Sequence, residues 1–159
     1  MASTSLRIGI IMDPVGSITP YKDSSFAMLL EAQRRGAEIH YFEQKNVSLL
    51  SGAASGQSTL LRVRDNDDDW YELGDTSEVA LGELDAILMR KDPPFDMEYV
   101  YTTYILDRAE RAGALVVNAP QALRDMNEKA YTAWFPEITP TTLITRSMAD
   151  MKSFLAEHG

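Results

Sequence analysis

The chain has 159 residues, of which 45% are hydrophobic and 25% are charged, and its net charge at pH 7 is −9. This composition is typical of a globular protein, and the negative charge disfavours binding to the phosphate backbone of a nucleic acid. The chain contains no cysteine and only two histidines, which excludes disulfides, thiolate metal sites, cysteine nucleophiles and multi-histidine metal centres.

The first residues do not have the pattern of a signal peptide. Residues 1–5, Met-Ala-Ser-Thr-Ser, lack the charged segment and apolar segment of a signal peptide. No apolar run approaches the roughly 20 residues that a membrane span needs. We therefore expect a cytoplasmic protein that binds no membrane.

The first elements predict a β-α-β unit. Arg7–Met12 is an apolar run typical of a buried strand, and Asp23 or Ser24 can cap the helix that follows. Gly36 ends that helix, and the alternating run Glu38–Phe42 predicts a second strand. A unit of this kind indicates a parallel sheet.

The next segment has weaker periodicity. Val47–Leu50 and Ser58–Val63 predict two short strands around a turn at Ser51–Gly56, as in a hairpin at the margin of the sheet.

The acidic run Asp65–Asp69 invites comparison with a calcium-binding loop. An EF-hand loop needs glycine at its sixth position and glutamate at its twelfth, and here Trp70 and Thr76 hold those positions. We therefore interpret the run as a solvated acidic turn.

The candidate site lies at Arg90, where an apolar run is followed by charged residues. Ala86–Met89 predicts a buried strand, Arg90–Asp92 brings both signs of charge, and Pro93–Pro94 ends the strand. In open α/β sheets, ligands bind just outside the carboxyl ends of the strands. The alternative is that Arg90 only forms an internal ion pair, with Asp13 or Asp96.

The remaining elements continue the alternation of helix and strand. We predict a helix over 97–112, a strand over 115–117, a short helix from Asn118, a second helix capped by Asp125 or Asn127, a β-rich run over 141–145, and a final helix capped by Ser147. The order of elements predicts an α/β fold with a Rossmann-like, mostly parallel sheet flanked by helices.

No sequence motif identifies a dinucleotide or Walker-type phosphate site, so a site must be assembled at the carboxyl edge of the sheet. Its candidates are Asp13, the helix start Lys22–Ser25, Arg90–Asp92 and Asn118. Helix amides at residues 24–26 would favour an anion, and Asp13 and Asp92 an ammonium group. This mixture suits a zwitterion such as an amino acid or a short peptide. The structural alternative is a set of helix caps and turn bonds.

Several long segments resemble the N-terminal region of bacterial, prokaryotic-type glutathione synthetases. They are Met12–Pro14, Lys22–Gly36, Ile87–Asp96, Tyr104–Leu106, Val117–Asn118, Leu123–Lys129 and Thr132–Phe135. The resemblance implies a pre-ATP-grasp, substrate-binding domain over residues 1–124, with the start of a truncated ATP-grasp region over 125–159.

The resemblance also implies a reaction. In the family, ATP phosphorylates the carboxylate of γ-glutamylcysteine, and glycine attacks the acyl phosphate to give glutathione, with Mg²⁺ (or Mn²⁺) bridging the phosphates. It further implies a homo-oligomer. The metal ligands belong to a part of the family beyond this stretch, so we expect no catalytic or metal-binding residue here, no tight binding of ATP or metal, and no activity from these residues alone.

Site residues follow from the same motifs. Lys129 is similar to a family lysine that contacts nucleotide phosphates, and its alternative is a solvated helix lysine. Asp13, Ser24, Ser25, Arg90 and Asn118 lie in segments implied to line the dipeptide side. The loop Val15–Tyr21 departs from the family pattern. The alternative function is a stand-alone Rossmann-like module, or a subunit, that binds a small zwitterion.

Overall fold

The computed structural model describes residues 5–126 and 129–159. The chain forms two compact units, Met1–Gln121 and Ala122–Gly159. In the described residues, no helix is both long enough and apolar enough to cross a membrane.

The described elements alternate between strand and helix. The strands are β1 (Arg7–Met12), β2 (Glu38–Phe42), β3 (Val47–Leu50), β4 (Ala53–Val63), β5 (Tyr71–Ala80), β6 (Ala86–Arg90) and β7 (Leu115–Val117). The α-helices are α1 (Ser24–Arg34), α2 (Met97–Ala112), α3 (Pro120–Asp125) and α4 (Met148–His158). Short 3₁₀ turns occupy Val15–Ser17, Pro20–Lys22, Gln44–Asn46, Leu81–Glu83 and Ala130–Trp134.

The first unit is built on one sheet with a parallel centre. Strands β2, β1, β6 and β7 lie side by side and run in parallel, so their carboxyl ends share one edge. Strand β4 extends the sheet beyond β2 in the antiparallel sense. Its Ser55 pairs with both β3 and β5, so those two strands lie on opposite edges of β4. The predicted α/β fold with a mostly parallel sheet flanked by helices is confirmed.

Apolar residues of both sheet faces form the core. Ile10, Met12, Ile39 and Tyr41 pack in one cluster with Phe26 and Leu29 of α1. Helix α2 buries Thr102, Thr103, Leu106 and Ala109 and packs against β4 and β7. Because residues alternate faces along a strand, β2 places Glu38 and His40 on the face opposite to Ile39 and Tyr41.

Most predicted elements are confirmed, including the full ranges of β1, β2, β3, α2 and β7. Two expectations about the strands are wrong, and one strand was missed. The turn of the first hairpin is only Ser51–Gly52, because β4 starts at Ala53 and continues through Gly56. Strand β5 was not predicted, since its acidic and small residues lack an apolar alternation. Residues 141–145 form no strand.

The predicted cap at Asp125 is wrong, because Asp125 is the last residue of α3 and the later 3₁₀ turn Ala130–Trp134 has Lys129 at its N-cap. The predicted caps of α1 and α4 are confirmed. Asp23 accepts a hydrogen bond from the amide of Phe26 at 2.8 Å, and Ser147 accepts one from the amide of Asp150 at 3.3 Å. The predicted cap at Asn127, and Glu128 after it, lie outside the described residues. In the second unit, Tyr131 stacks on Trp134, with 5.1 Å between ring centroids.

Candidate functional site

Asp13, directly after β1, contacts the loop that follows β6. Met12 of β1 is paired with Arg90 of β6, so the residues that follow them emerge side by side. One carboxylate oxygen of Asp13 lies 2.9 Å from Lys91 Nζ, and the other accepts a hydrogen bond from the Asp92 amide at 3.1 Å. Both oxygens thus hold the loop after β6 in place.

Arg90 reaches from the end of β6 to the start of α1. Its Nε donates to Ser25 Oγ at 2.9 Å, and its Nη2 donates to Ser24 Oγ at 2.8 Å. Ser25 is buried, whereas Arg90 is exposed, and Nη1 takes no part in these two bonds. In the described residues Arg90 forms no ion pair with Asp13 or Asp96. Asp13 forms its ion pair with Lys91 instead.

Tyr99 is a neighbour of Arg90 that the sequence did not single out. Burial raises the pKa of the Tyr99 hydroxyl, and the positive charge of Arg90 opposes that effect. The phenol therefore stays protonated near neutral pH, where it can donate a hydrogen bond. The only signal in the sequence is its position in the first turn of the helix predicted over 97–112, next to the proline loop. In the structure, the ring centroids of Tyr99 and Phe95 lie 5.1 Å apart.

A small polar cavity of about 150 Å³ lies beside Asp13 and Arg90 at the carboxyl edge. It is lined by Met12, Asp13, Ile18, Lys22, Asp23, Ser24, Ser25, Arg90 and Asp92. The structure therefore brings together four of the five predicted substrate residues. The amide of Phe26, expected to face an anion, is already bonded to Asp23.

Asn118, the fifth residue, is exposed directly after β7 and does not line this cavity. Lys129 belongs to the second unit, where it is exposed and precedes the 3₁₀ turn Ala130–Trp134. The geometry of the first unit alone therefore supports a polar site built on Arg90.

Acidic side chains do not assemble a metal site in the part of the chain that the structure describes. No group of three or more histidine, aspartate or glutamate side chains is close enough there to hold a metal ion. In the acidic turn, Asn66 Oδ1 accepts hydrogen bonds from the amides of Asp68 and Asp69, at 2.8 and 3.0 Å. Those bonds fit a self-bonded turn.

Comparisons with known proteins agree with one another. The family model described as prokaryotic glutathione synthetase, N-terminal domain, matches residues 6–124. The glutathione synthetases of Salmonella typhimurium and Vibrio parahaemolyticus are each 56% identical to this chain over 154 residues, which is 97% of this chain and 49% of theirs. That of Escherichia coli is 54% identical over 153 residues, 96% of this chain and 48% of its own. The chain spans about half the length of the curated relatives it matches.

Proposed function

Because the chain belongs to the prokaryotic glutathione synthetase family through its N-terminal domain, we propose that it is the dipeptide-binding part of an ATP-dependent ligase. The complete protein would join γ-glutamylcysteine to glycine through an acyl phosphate. The observation that carries this proposal is the identity of 56% over 97% of the chain with an enzyme of that name.

The carboxyl-edge cavity supports a role in holding a carboxylate. Arg90 is a charge-assisted donor, and Ser24 and Ser25 hold two of its nitrogens, which fixes the direction of the remaining Nη1 group. A pre-oriented guanidinium loses little conformational freedom on binding. Asp13 would act through the loop: its oxygens are bonded to Lys91 and Asp92, so its main task would be to hold the 90–92 segment in place.

We propose that Lys129 contacts the phosphates of ATP, and that residues 125–159 begin an ATP-grasp region. Mg²⁺ or Mn²⁺ would neutralise phosphate charge in the complete enzyme. The described residues offer no cluster of acidic side chains for it, so no ligand is assigned to this chain.

We also propose a cytoplasmic homo-oligomer. Large apolar side chains are exposed on the first unit, among them Leu50 at 76% and Tyr101 at 60%, and surfaces of this kind support association. Light scattering of the purified protein would measure its mass in solution, and a monomer at micromolar concentration would refute this part.

The activity is tested on the complete protein. Supplied with ATP, Mg²⁺, γ-glutamylcysteine and glycine, it should form glutathione, which mass spectrometry detects. It should release ADP only when both glycine and the dipeptide are present. Failure to form glutathione, with retained binding of the dipeptide, would favour the alternative function as a zwitterion-binding module.

A further inference from the structure

A second cavity lies beside the start of β2, at the end of the sheet opposite to the cavity beside Arg90. It has a volume of about 500 Å³, larger than the cavity beside Arg90. It opens where β2 and β4 separate, because those strands pair only at His40 with Leu60 and at Tyr41 with Thr59. We call it the β2–β4 notch, and define it by Gln33, Glu38, Ile39, Leu61, Arg62 and Glu72.

Main-chain groups of β4 face this notch. The side-chain amide of Gln33 donates to the carbonyl of Val63 at 2.7 Å and accepts from its amide at 2.8 Å. Gln33 thus bonds Val63 as a neighbouring strand would. Backbone groups alternate between the two edges of a strand, so Leu61, two residues earlier, directs its N–H and C=O to the same edge. The described pairs of β2 with β4 end at His40 with Leu60, so Leu61 is the first residue of β4 beyond them, and both Leu61 and Val63 line the notch.

Charges of both signs flank these groups. Continuing the register of β2 and β4 by two residues would place Glu38 opposite Arg62. Glu38 contacts His40 Nε2 at 2.8 Å and Arg7 Nε at 3.8 Å, both through Oε1, so Oε2 remains available. Arg62 forms no ion pair in the described residues, because its strand partner Glu72 bonds to Arg64 instead.

We propose that the β2–β4 notch binds a short zwitterionic peptide in extended form. Its ammonium group would lie at Glu38, its carboxylate at Arg62, and its peptide group beside Leu61. The volume is in the range of small-molecule sites, and paired opposite charges match a molecule without net charge. Because Glu38 starts β2 and Arg90 ends β6, this site lies at the other edge from the proposed dipeptide cavity, and it does not depend on the ligase activity.

The probe for the test is glycylglycine, titrated into the ¹⁵N-labelled purified protein and followed by NMR. Saturable shifts are expected at the amides of Ile39, Leu61 and Val63. Arg62→Gln should weaken binding about tenfold or more, since it removes a charge-assisted bond. Glu38→Gln should do the same from the other end. Acetyl-glycylglycine amide, which has no charged ends, should bind about tenfold more weakly than glycylglycine.

Arg90→Gln is the matched control, because it removes a guanidinium from the opposite edge and should leave these shifts unchanged. The proposal is overturned if the notch amides do not shift, or if Arg62→Gln binds as well as the parent. It is also overturned if the shifts fall on Ser24 and Ser25 and vanish in Arg90→Gln. The ligase assay is a separate readout, so a failure here leaves the proposed function standing.

Discussion

Arg90 and Lys91 are adjacent in sequence, but their side chains bond to different elements. Arg90 bonds to Ser24 and Ser25 at the start of α1, whereas Lys91 bonds to Asp13 at the end of β1. Backbone alternation after β6 directs neighbouring side chains apart, so two like charges take two roles. We propose that Arg90 receives the substrate and that Lys91 holds the loop.

The first prediction concerns Arg90 in the complete enzyme. Arg90→Ala should raise KM for γ-glutamylcysteine about tenfold or more and leave KM for ATP nearly unchanged, because loss of a charge-assisted bond costs about 1.5–3 kcal/mol. Steady-state kinetics with each substrate varied in turn measure this. Arg35→Ala, an exposed arginine that bonds to Glu31, is the control and should change neither constant. An unchanged dipeptide KM in a folded variant would refute the role of Arg90.

Lys129 gives the opposite pattern. Lys129→Met in the complete protein should weaken ATP binding and leave dipeptide binding nearly intact, because it removes the positive charge that is proposed to contact the phosphates of ATP. Calorimetric titration with each ligand separately distinguishes the two. Lys152→Met, an exposed lysine on α4, is the control. Equal losses for both ligands would indicate a folding defect and remove the assignment.

Tyr41 gives a prediction about pH. Burial raises the pKa of its hydroxyl from 10.0 to about 12, against the opposing effect of the hydrogen bond that the Val15 amide donates to it at 3.3 Å. As the pH rises, the Tyr41 hydroxyl loses its proton in the unfolded chain before it does so in the folded protein. The contribution of Tyr41 to the free energy of unfolding is therefore complete below about pH 10 and is lost towards pH 12. Denaturant unfolding at several alkaline pH values should therefore show a shallower decline for Tyr41→Phe. Tyr21→Phe, at an exposed tyrosine, should follow the parent protein.

At the scale of elements, the position of α1 decides whether the carboxyl-edge cavity exists, because α1 supplies both serines that hold Arg90. Asp23 caps this helix and Phe26 and Leu29 anchor it in the core. The capping residue, the serines that hold Arg90 and the residues that anchor the helix in the core therefore all lie on the eleven residues of α1 or directly before them.

Asp23→Ala should lower the free energy of unfolding by about 0.5–2 kcal/mol, the usual cost of losing an N-terminal cap. Urea denaturation measures the change. Asp67→Ala, in the exposed acidic turn, removes the same charge without a cap and should alter stability by less than about 0.5 kcal/mol. Equal effects of the two changes would mean that charge, and not capping, explains the loss.

At the scale of the whole molecule, the chain covers about half of each relative, and the first unit contains its own sheet and core. We therefore expect residues 1–159 to fold but not to catalyse. Phosphoryl transfer depends on positioning phosphates and neutralising their charge with metal, and a chain with a net charge of −9 disfavours a polyanion.

The test is to express these 159 residues alone, confirm cooperative unfolding, and measure phosphate release with ATP, Mg²⁺, γ-glutamylcysteine and glycine. The complete protein is the positive control, and a reaction without protein sets the background. Exposed apolar side chains such as Leu50 and Tyr101 should also make this polypeptide self-associate. Turnover clearly above background would overturn the expectation of inactivity.

The sequence determined the elements whose signals are local. Helix caps at Asp23 and Ser147, the apolar runs of β1 and β6, and the glycine after α1 depend on neighbouring residues, so they could be predicted. The parallel sheet then placed Asp13 and Arg90 at one edge. Strand β5 was missed because its stability comes from pairing with β4, and 141–145 has strand-forming residues but no strand partner in the described structure. Only the tertiary structure decided that Lys91 rather than Arg90 binds Asp13, and that β2 and β4 separate to leave a cavity, because both depend on residues far apart in the chain.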